Sequence, residues 1–220
     1  GSAAVGVDFE LRDVRAAVGG QVLDLLTPAG GHEEVFLPLY GRHQADNALL
    51  ALVAAEAFFG RELPEDIVEA AFGSVLVPGR FELVRRAPVV IIDGAHNPPG
   101  AAAAAMTLDD QFDIGGRRVL VLALLQDRDP TQMLEAFGAT SADLVVATQV
   151  DSPRAVPATD LAAAVRRLGA EVETIPGVAD AIERAITVAG EEGVVLIAGS
   201  LYLAGEAREI LVGSLPETPG

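Results

Sequence analysis

Residues 93 to 97, Asp-Gly-Ala-His-Asn, place a carboxylate, an imidazole and a carboxamide within five positions. They follow four β-branched residues, Val89 to Ile92, and precede Pro98-Pro99 and a run of alanines. An acid and an imidazole this close together can hold a metal ion, orient a substrate or move a proton. A metal site needs a third donor, which makes that use the weakest of the three. Asn97 has a simpler use, because an asparagine before prolines at a helix start is a good N-cap. Capping does not account for Asp93 and His96 together, so these two are the candidates for ligand contact.

Three further stretches carry chemistry. In Val77-Pro-Gly-Arg80-Phe-Glu an arginine follows a Pro-Gly turn, and its planar cationic fork suits a transferring phosphoryl group. Gly41, Arg42, His43 and Gln44 stand before an apolar helix with Asn47 in its first turn, a pattern that suits an anion or nucleotide at a helix start. The plain alternative there is a helix beginning with Asp46 complementing the dipole. Ser200 follows the last apolar run and is either a helix cap or a ligand contact.

The elements that position these groups follow from periodicity. "VDFELRDV", "QVLDLLT" and "EEVFLPL", separated by Gly19-Gly20 and "PAGG", predict an antiparallel meander. "HQADNALLALVAAEAFFG" predicts a helix with Gly60 as C-cap, and "LPEDIVEAAFGSV" a second with Pro64 in its first turn. Beyond "LVPGR" the apolar runs "PVVIID", "RRVLVLALL", "ADLVVATQV", "AEVETIP" and "GVVLIAGS" alternate with helical stretches starting near Pro98, Pro130, Pro157, Val178 and Leu203. This predicts an α/β fold, a Rossmann-like, mostly parallel sheet with helices on both faces, with a domain boundary near Val77. Asp93, Asp127, Gln149 and Ser200 then all fall at the carboxyl edge of the sheet, where such folds bind ligands. Arg80 falls at the domain junction, where clefts hold ligands.

Composition narrows the function further. The chain has 220 residues, half of them apolar, which suffices for a core without disulfides. It contains no cysteine, so thiol catalysis and zinc-thiolate sites are excluded, and a cytoplasmic location fits. A formal charge of −17 argues against gripping nucleic-acid backbone, and no apolar run is long enough to span a membrane. All 15 basic residues are arginine. A G-x-x-x-x-G-K-[ST] phosphate loop and a Schiff-base lysine are therefore both impossible within this sequence.

"GRHQADNALLA", "PGRFE", "DGAHNP" and "GSLYLAGEAR" occur in the order and approximate spacing of folylpolyglutamate synthases and dihydrofolate synthases, members of the Mur ligase superfamily. "LLQDRD" and "DSPRAVPATDL" also resemble segments of that family, and the resemblance runs over nearly all of residues 5 to 212. It implies an ATP-dependent ligase that phosphorylates the carboxylate of a folate or dihydropteroate and then joins it to L-glutamate. On this resemblance Asn47 contacts ATP, Arg80 the phosphates and Asp93 the ribose hydroxyls. His96, Ser200 and Tyr202 match positions facing the incoming glutamate or the reacting carboxylate.

The resemblance also implies a larger ATPase domain with the phosphate loop, the Mg²⁺-binding Ser, Glu and His and a carbamylated lysine. The lysine-free sequence contains neither that loop nor that lysine, and the metal site is expected in the ATPase region. Residues 3–76 then correspond to the end of that ATPase domain and 77–220 to the C-terminal domain. The expected protein is a monomer that needs the ATPase region for activity. The side chains of Asp93 and His96 are expected to open toward a ligand and not to be taken up by backbone caps. Two other functions fit the same residues: another Mur-type ligase, and a non-catalytic nucleotide-binding or interaction module.

Overall fold

The computed structural model describes residues 8–127 and 129–213, in two units, Gly1–Val77 and Pro78–Gly220. In the first unit, β1 (Glu10–Ala17), β2 (Gly20–Leu26) and β3 (Gly31–Leu37) form the antiparallel meander in sequential order. Strand alternation turns Leu23, Leu25, Val35 and Leu37 inward. There they meet Ala45, Leu49 and Leu52 of α1 (Arg42–Phe59) and Val68 of α2 (Glu65–Gly73). α1 ends at Gly60, whose left-handed φ of 67° lets its amide reach the Glu56 carbonyl. Pro64 stands just before α2, at the N-cap, and Glu65 and Asp66 occupy the first turn. Within this core His32 Nε2 meets Glu56 Oε1 at 3.1 Å, both side chains being buried.

The second unit is a six-stranded sheet in the order β4-β5-β9-β6-β7-β8. Its strands are β4 (Glu82–Arg86), β5 (Val89–Ile92), β6 (Arg118–Leu122), β7 (Leu144–Ala147), β8 (Val172–Thr174) and β9 (Val194–Ala198). Five run parallel, and β4 lies antiparallel on β5 at the edge. The sheet is thus mostly parallel, as periodicity indicates, but β4 is an addition to the expected set. Its partly exposed residues and terminal Arg85-Arg86 pair give an edge strand little apolar pattern.

Helices cover both faces of this sheet. α6 (Val178–Ala189) and α7 (Leu201–Leu211) pack on Val90, Ile92, Val119, Val121, Val195 and Ile197. The alternate positions Ile91, Leu120, Leu122, Val145 and Leu196 are equally buried. α3 (Pro98–Gln111), α4 (Pro130–Ala136) and α5 (Ala158–Arg167) pack successively along the sheet. α7 begins two residues before the expected Leu203, because Ser200 is its cap. The return of the chain from β8 to β9, between β5 and β6, creates the strand-order reversal beside which ligands bind in open α/β sheets. No helix among the described residues is long and apolar enough to cross a membrane.

Candidate functional site

The exits of β5, β9 and β6 converge at that reversal. Asp93, immediately after β5, is buried, and its carboxylate turns back on the chain. Oδ1 accepts the Ala95 amide at 2.7 Å and Oδ2 accepts the Phe81 amide at 2.8 Å. The expectation that this side chain would escape backbone bonding is therefore corrected. Phe81 sits at φ 48° with its ring buried, and a buried turn amide left without an acceptor is costly. Asp93 joins the β5 exit to the Gly79–Phe81 turn, and the Gly94 amide reinforces the junction by donating to the Gly79 carbonyl at 2.7 Å.

Arg80 is the middle residue of that turn and is half-buried. A Cβ built on Gly94 would lie 3.3 Å from Arg80 Nη1, 3.2 Å from the Gly79 oxygen and 2.6 Å from Leu201 Cδ2. Gly94 is thus needed for close approach, and the guanidinium lies over the β5 exit. No carboxylate among the described residues forms an ion pair with it.

His96 is half-buried, and its Nδ1–H donates to the Gly94 carbonyl at 2.9 Å. A carbonyl only accepts, so the neutral ring carries its proton on Nδ1 and its lone pair on Nε2. The imidazole lines a cavity of about 110 Å³ together with Asp127, Arg154 and Tyr202. Arg154 lies 3.3 Å from Asp127, and both side chains are about half exposed. Backbone pairing brings these loops together: the Gln126 amide donates to the Arg154 carbonyl and the Val156 amide to the Leu124 carbonyl, each at 2.9 Å. Gly199 closes the cavity at φ 113°, where a Cβ would stand 2.7 Å from the Ala123 oxygen. Arg128, in the same "LLQDRD" loop, lies outside the described residues.

Ser200 is fully buried, and its Oγ accepts the Leu203 amide at 3.1 Å as the N-cap of α7. Tyr202, the second residue of α7, is 57% exposed and lines the cavity. Asn97 caps α3, accepting the Gly100 amide at 2.8 Å. In the first unit, the start of α1 has no side-chain cap and no acid in its first turn. Asp46 does not complement that dipole as the simplest account of the stretch requires; it lies 4.0 Å from Arg42 on the helix surface. Gly41 holds the start at φ 94°, its carbonyl accepting from buried Gln21 Nε2 at 3.0 Å. Arg42, His43 and Gln44 form the first turn instead of preceding the helix, which places Asn47 in the second turn rather than the first. Asn47 is exposed and donates to Gln44 Oε1 at 3.3 Å.

The structure therefore groups Arg80, Asp93, His96, Ser200 and Tyr202 at one sheet edge, while Asn47 stands on α1 of the other unit. It adds Arg154, which sequence reasoning did not single out although "DSPRA" contained it. No group of three or more acidic, histidine or cysteine side chains among the described residues is arranged to hold a metal ion.

Residues 79–201 match the family model described as the Mur ligase, glutamate ligase domain. The chain belongs to the Mur ligase family. The dihydrofolate synthase/folylpolyglutamate synthase of Mycobacterium tuberculosis is 41% identical over 224 residues, covering 92% of this chain and 45% of that protein. A crystal structure of Mycobacterium tuberculosis folylpolyglutamate synthase complexed with ADP and AMPPCP superposes with a TM-score of 0.91 at 42% identity, over 98% of this chain and 50% of that one. Escherichia coli FolC in complex with DHPP and ADP superposes with a TM-score of 0.79 at 27% identity, over 94% of this chain and 46% of that one. This Mur ligase chain spans about half the length of the relatives it matches.

Proposed function

We propose that the chain is the C-terminal portion of an ATP-dependent amide ligase that adds L-glutamate to folates, as folylpolyglutamate synthase, dihydrofolate synthase or both. The observation that carries this is the convergence of Arg80, the His96 Nε2 lone pair and Arg154 at the sheet edge of a Mur ligase domain. A carboxylate oxygen of the folate attacks the γ-phosphorus of ATP and ADP leaves. The amine of glutamate then attacks the acyl carbon, phosphate departs, and the nitrogen loses a proton. Arg80 meets the phosphoryl charge, with a fork whose donors spread over several oxygens. His96 Nε2 accepts a hydrogen bond from the glutamate amine and orients it toward the acyl carbon. Arg154 meets a glutamate carboxylate, and Tyr202 borders the same cavity.

Asn47 offers a donor and an acceptor to the nucleotide base. Asp93 shapes the site through its two backbone bonds, and its carboxylate is the group proposed to face the ribose hydroxyls. Mg²⁺ supplies charge neutralisation to phosphoryl transfer in general. Among the described residues no group of three or more His, Cys, Asp or Glu side chains is arranged to hold it. Its ligands are expected in the phosphate-loop region, as the family resemblance implies, and no step here runs through it. The chain alone is expected to lack ligase turnover.

Arg154→Ala tests the assignment. In the ligase joined to its ATPase region it raises the KM for glutamate by about tenfold to a hundredfold, as expected for loss of a charged contact. The KM for ATP stays within about twofold, less than 0.5 kcal/mol. Equal effects on both substrates would move Arg154 out of the amino-acid pocket.

A further inference from the structure

Glu82 is the residue of "PGRFE" that the proposed chemistry leaves unused, and Arg208 is the last residue of "GSLYLAGEAR". The structure joins them. Glu82 Oε1 accepts from Arg208 Nε at 3.1 Å, and Glu82 Oε2 accepts the Gly79 amide at 2.8 Å. Both side chains are largely withdrawn from solvent, at 14% exposure for Arg208 and 17% for Glu82. Arg208 stands on α7, the helix that begins at the Ser200 cap and carries Leu201 and Tyr202. Glu82 opens β4 and pairs with Ile92, next to Asp93.

We propose that Glu82 and Arg208 are positioning residues for Arg80, setting its turn against α7 so that the phosphate-directed guanidinium and the amino-acid cavity keep a fixed spacing. This deepens the proposed ligase function and rests on it. The turn Gly79-Arg80-Phe81 contains two left-handed residues, Gly79 at φ 68° and Phe81 at φ 48°, a conformation that non-glycine residues keep only when their surroundings impose it. Three polar bonds impose it here. Glu82 accepts the Gly79 amide, Asp93 accepts the Phe81 amide, and the Gly94 amide donates to the Gly79 carbonyl. Only the first also reaches α7. Leu201 of that helix presses on Gly94, and Leu201 and Tyr202 line the cavity that holds His96. A shift of the turn relative to α7 therefore changes the distance between the two halves of the chemistry. Displacements of this size, at residues that do not themselves touch substrate, are enough to alter rates.

A double-mutant cycle in the ligase joined to its ATPase region separates positioning from general support. Glu82→Gln keeps the shape but sets an NH₂ against either the Gly79 amide or the Arg208 Nε–H. It should lower kcat/KM for ATP by about tenfold, below the roughly hundredfold that a full 1 Å misplacement causes. On an Arg80→Ala background the same change should cost less than about twofold, because a residue acting through another has nothing left to act on. Arg208→Lys should retain more activity than Arg208→Met.

Equal losses from Glu82→Gln on both backgrounds would make Glu82 a structural residue and overturn the inference. If Arg80→Ala alone leaves ATP kinetics unchanged, the phosphate role of Arg80 falls, and the positioning role with it. A measurement independent of turnover uses the 220-residue chain itself. In Glu82→Ala, which removes both acceptors, the Gly79 amide should exchange with solvent at least about tenfold faster while β9 amides keep their protection, the sign of local rather than global opening. Unchanged exchange at Gly79 would show that Glu82 does not hold the turn.

Discussion

Asp93→Asn removes one charge and one acceptor from a group whose two oxygens are both in use, at 2.7 Å to the Ala95 amide and 2.8 Å to the Phe81 amide. Asparagine has a single carbonyl oxygen, so one amide must face an NH₂ group instead. The site is buried, 6% exposed, and water cannot replace the lost acceptor without opening the turn. Loss of one hydrogen bond to a charged group, with a buried donor left unpaired, costs about 1.5–3 kcal/mol. At about 2–4 °C per kcal/mol for a chain of this size, the melting temperature should fall by about 3–12 °C. Calorimetry of the 220-residue chain reads this without any need for catalysis. A melting temperature within about 1 °C of the parent, the range of an uneventful surface change, would refute the two-amide account of Asp93. The ribose contact is tested separately. Well below the transition, in the ligase joined to its ATPase region, Asp93→Asn should also raise the KM for ATP, and unaltered ATP dependence would leave only the turn-holding role.

Gly199→Ala should be more damaging than its size suggests, by about 2–4 kcal/mol for the combination of a positive φ and overpacking. Its Cβ would meet the Ala123 oxygen at 2.7 Å, and chemical denaturation of the chain measures the loss. Glu206 has its pKa raised above the ordinary 4.5 by burial, then by Asp151 and Glu209. A raised carboxylate contributes stability that is complete below its unfolded value and is lost as pH rises through its folded value. Glu206→Gln should therefore be slightly stabilising at neutral pH, by no more than about 0.5 kcal/mol because the group is solvent-screened. The gain should close below about pH 4.5, as pH-dependent melting curves would show.

Much of this architecture is visible in residue order because local and tertiary demands agree. α1 ends at the Gly60 cap, and β5 passes through Asn97 into the Pro98 helix, each of these boundaries being marked by a residue with one evident conformational use. β4 escapes notice because an edge strand ending in two exposed arginines lacks the apolar run that marks the strands inside the sheet. The site shows a different limit. Asp93 is recognisable as a polar strand end, but the acceptor it provides to Phe81 depends on β4 lying antiparallel on β5. Arg154 meets Asp127 only because residues 152–156 run back along the β6 exit. The Glu82–Arg208 bond joins residues 126 positions apart. Identity of a polar residue is thus legible locally, whereas its partner is set by topology.

The central claim is that the Arg80–His96–Arg154 edge serves formation of an acyl phosphate and its capture by glutamate. The most direct measurement supplies the ligase joined to its ATPase region with a folate whose terminal carboxylate carries heavy oxygen, together with ATP and glutamate. One labelled oxygen should appear in the released phosphate for each amide formed. Arg80→Ala should suppress both products together, with the melting temperature held to within a few degrees, as expected for a half-buried residue without an ion-pair partner among the described residues. Amide formation that leaves the label out of phosphate, or that persists unchanged in Arg80→Ala, would contradict the account.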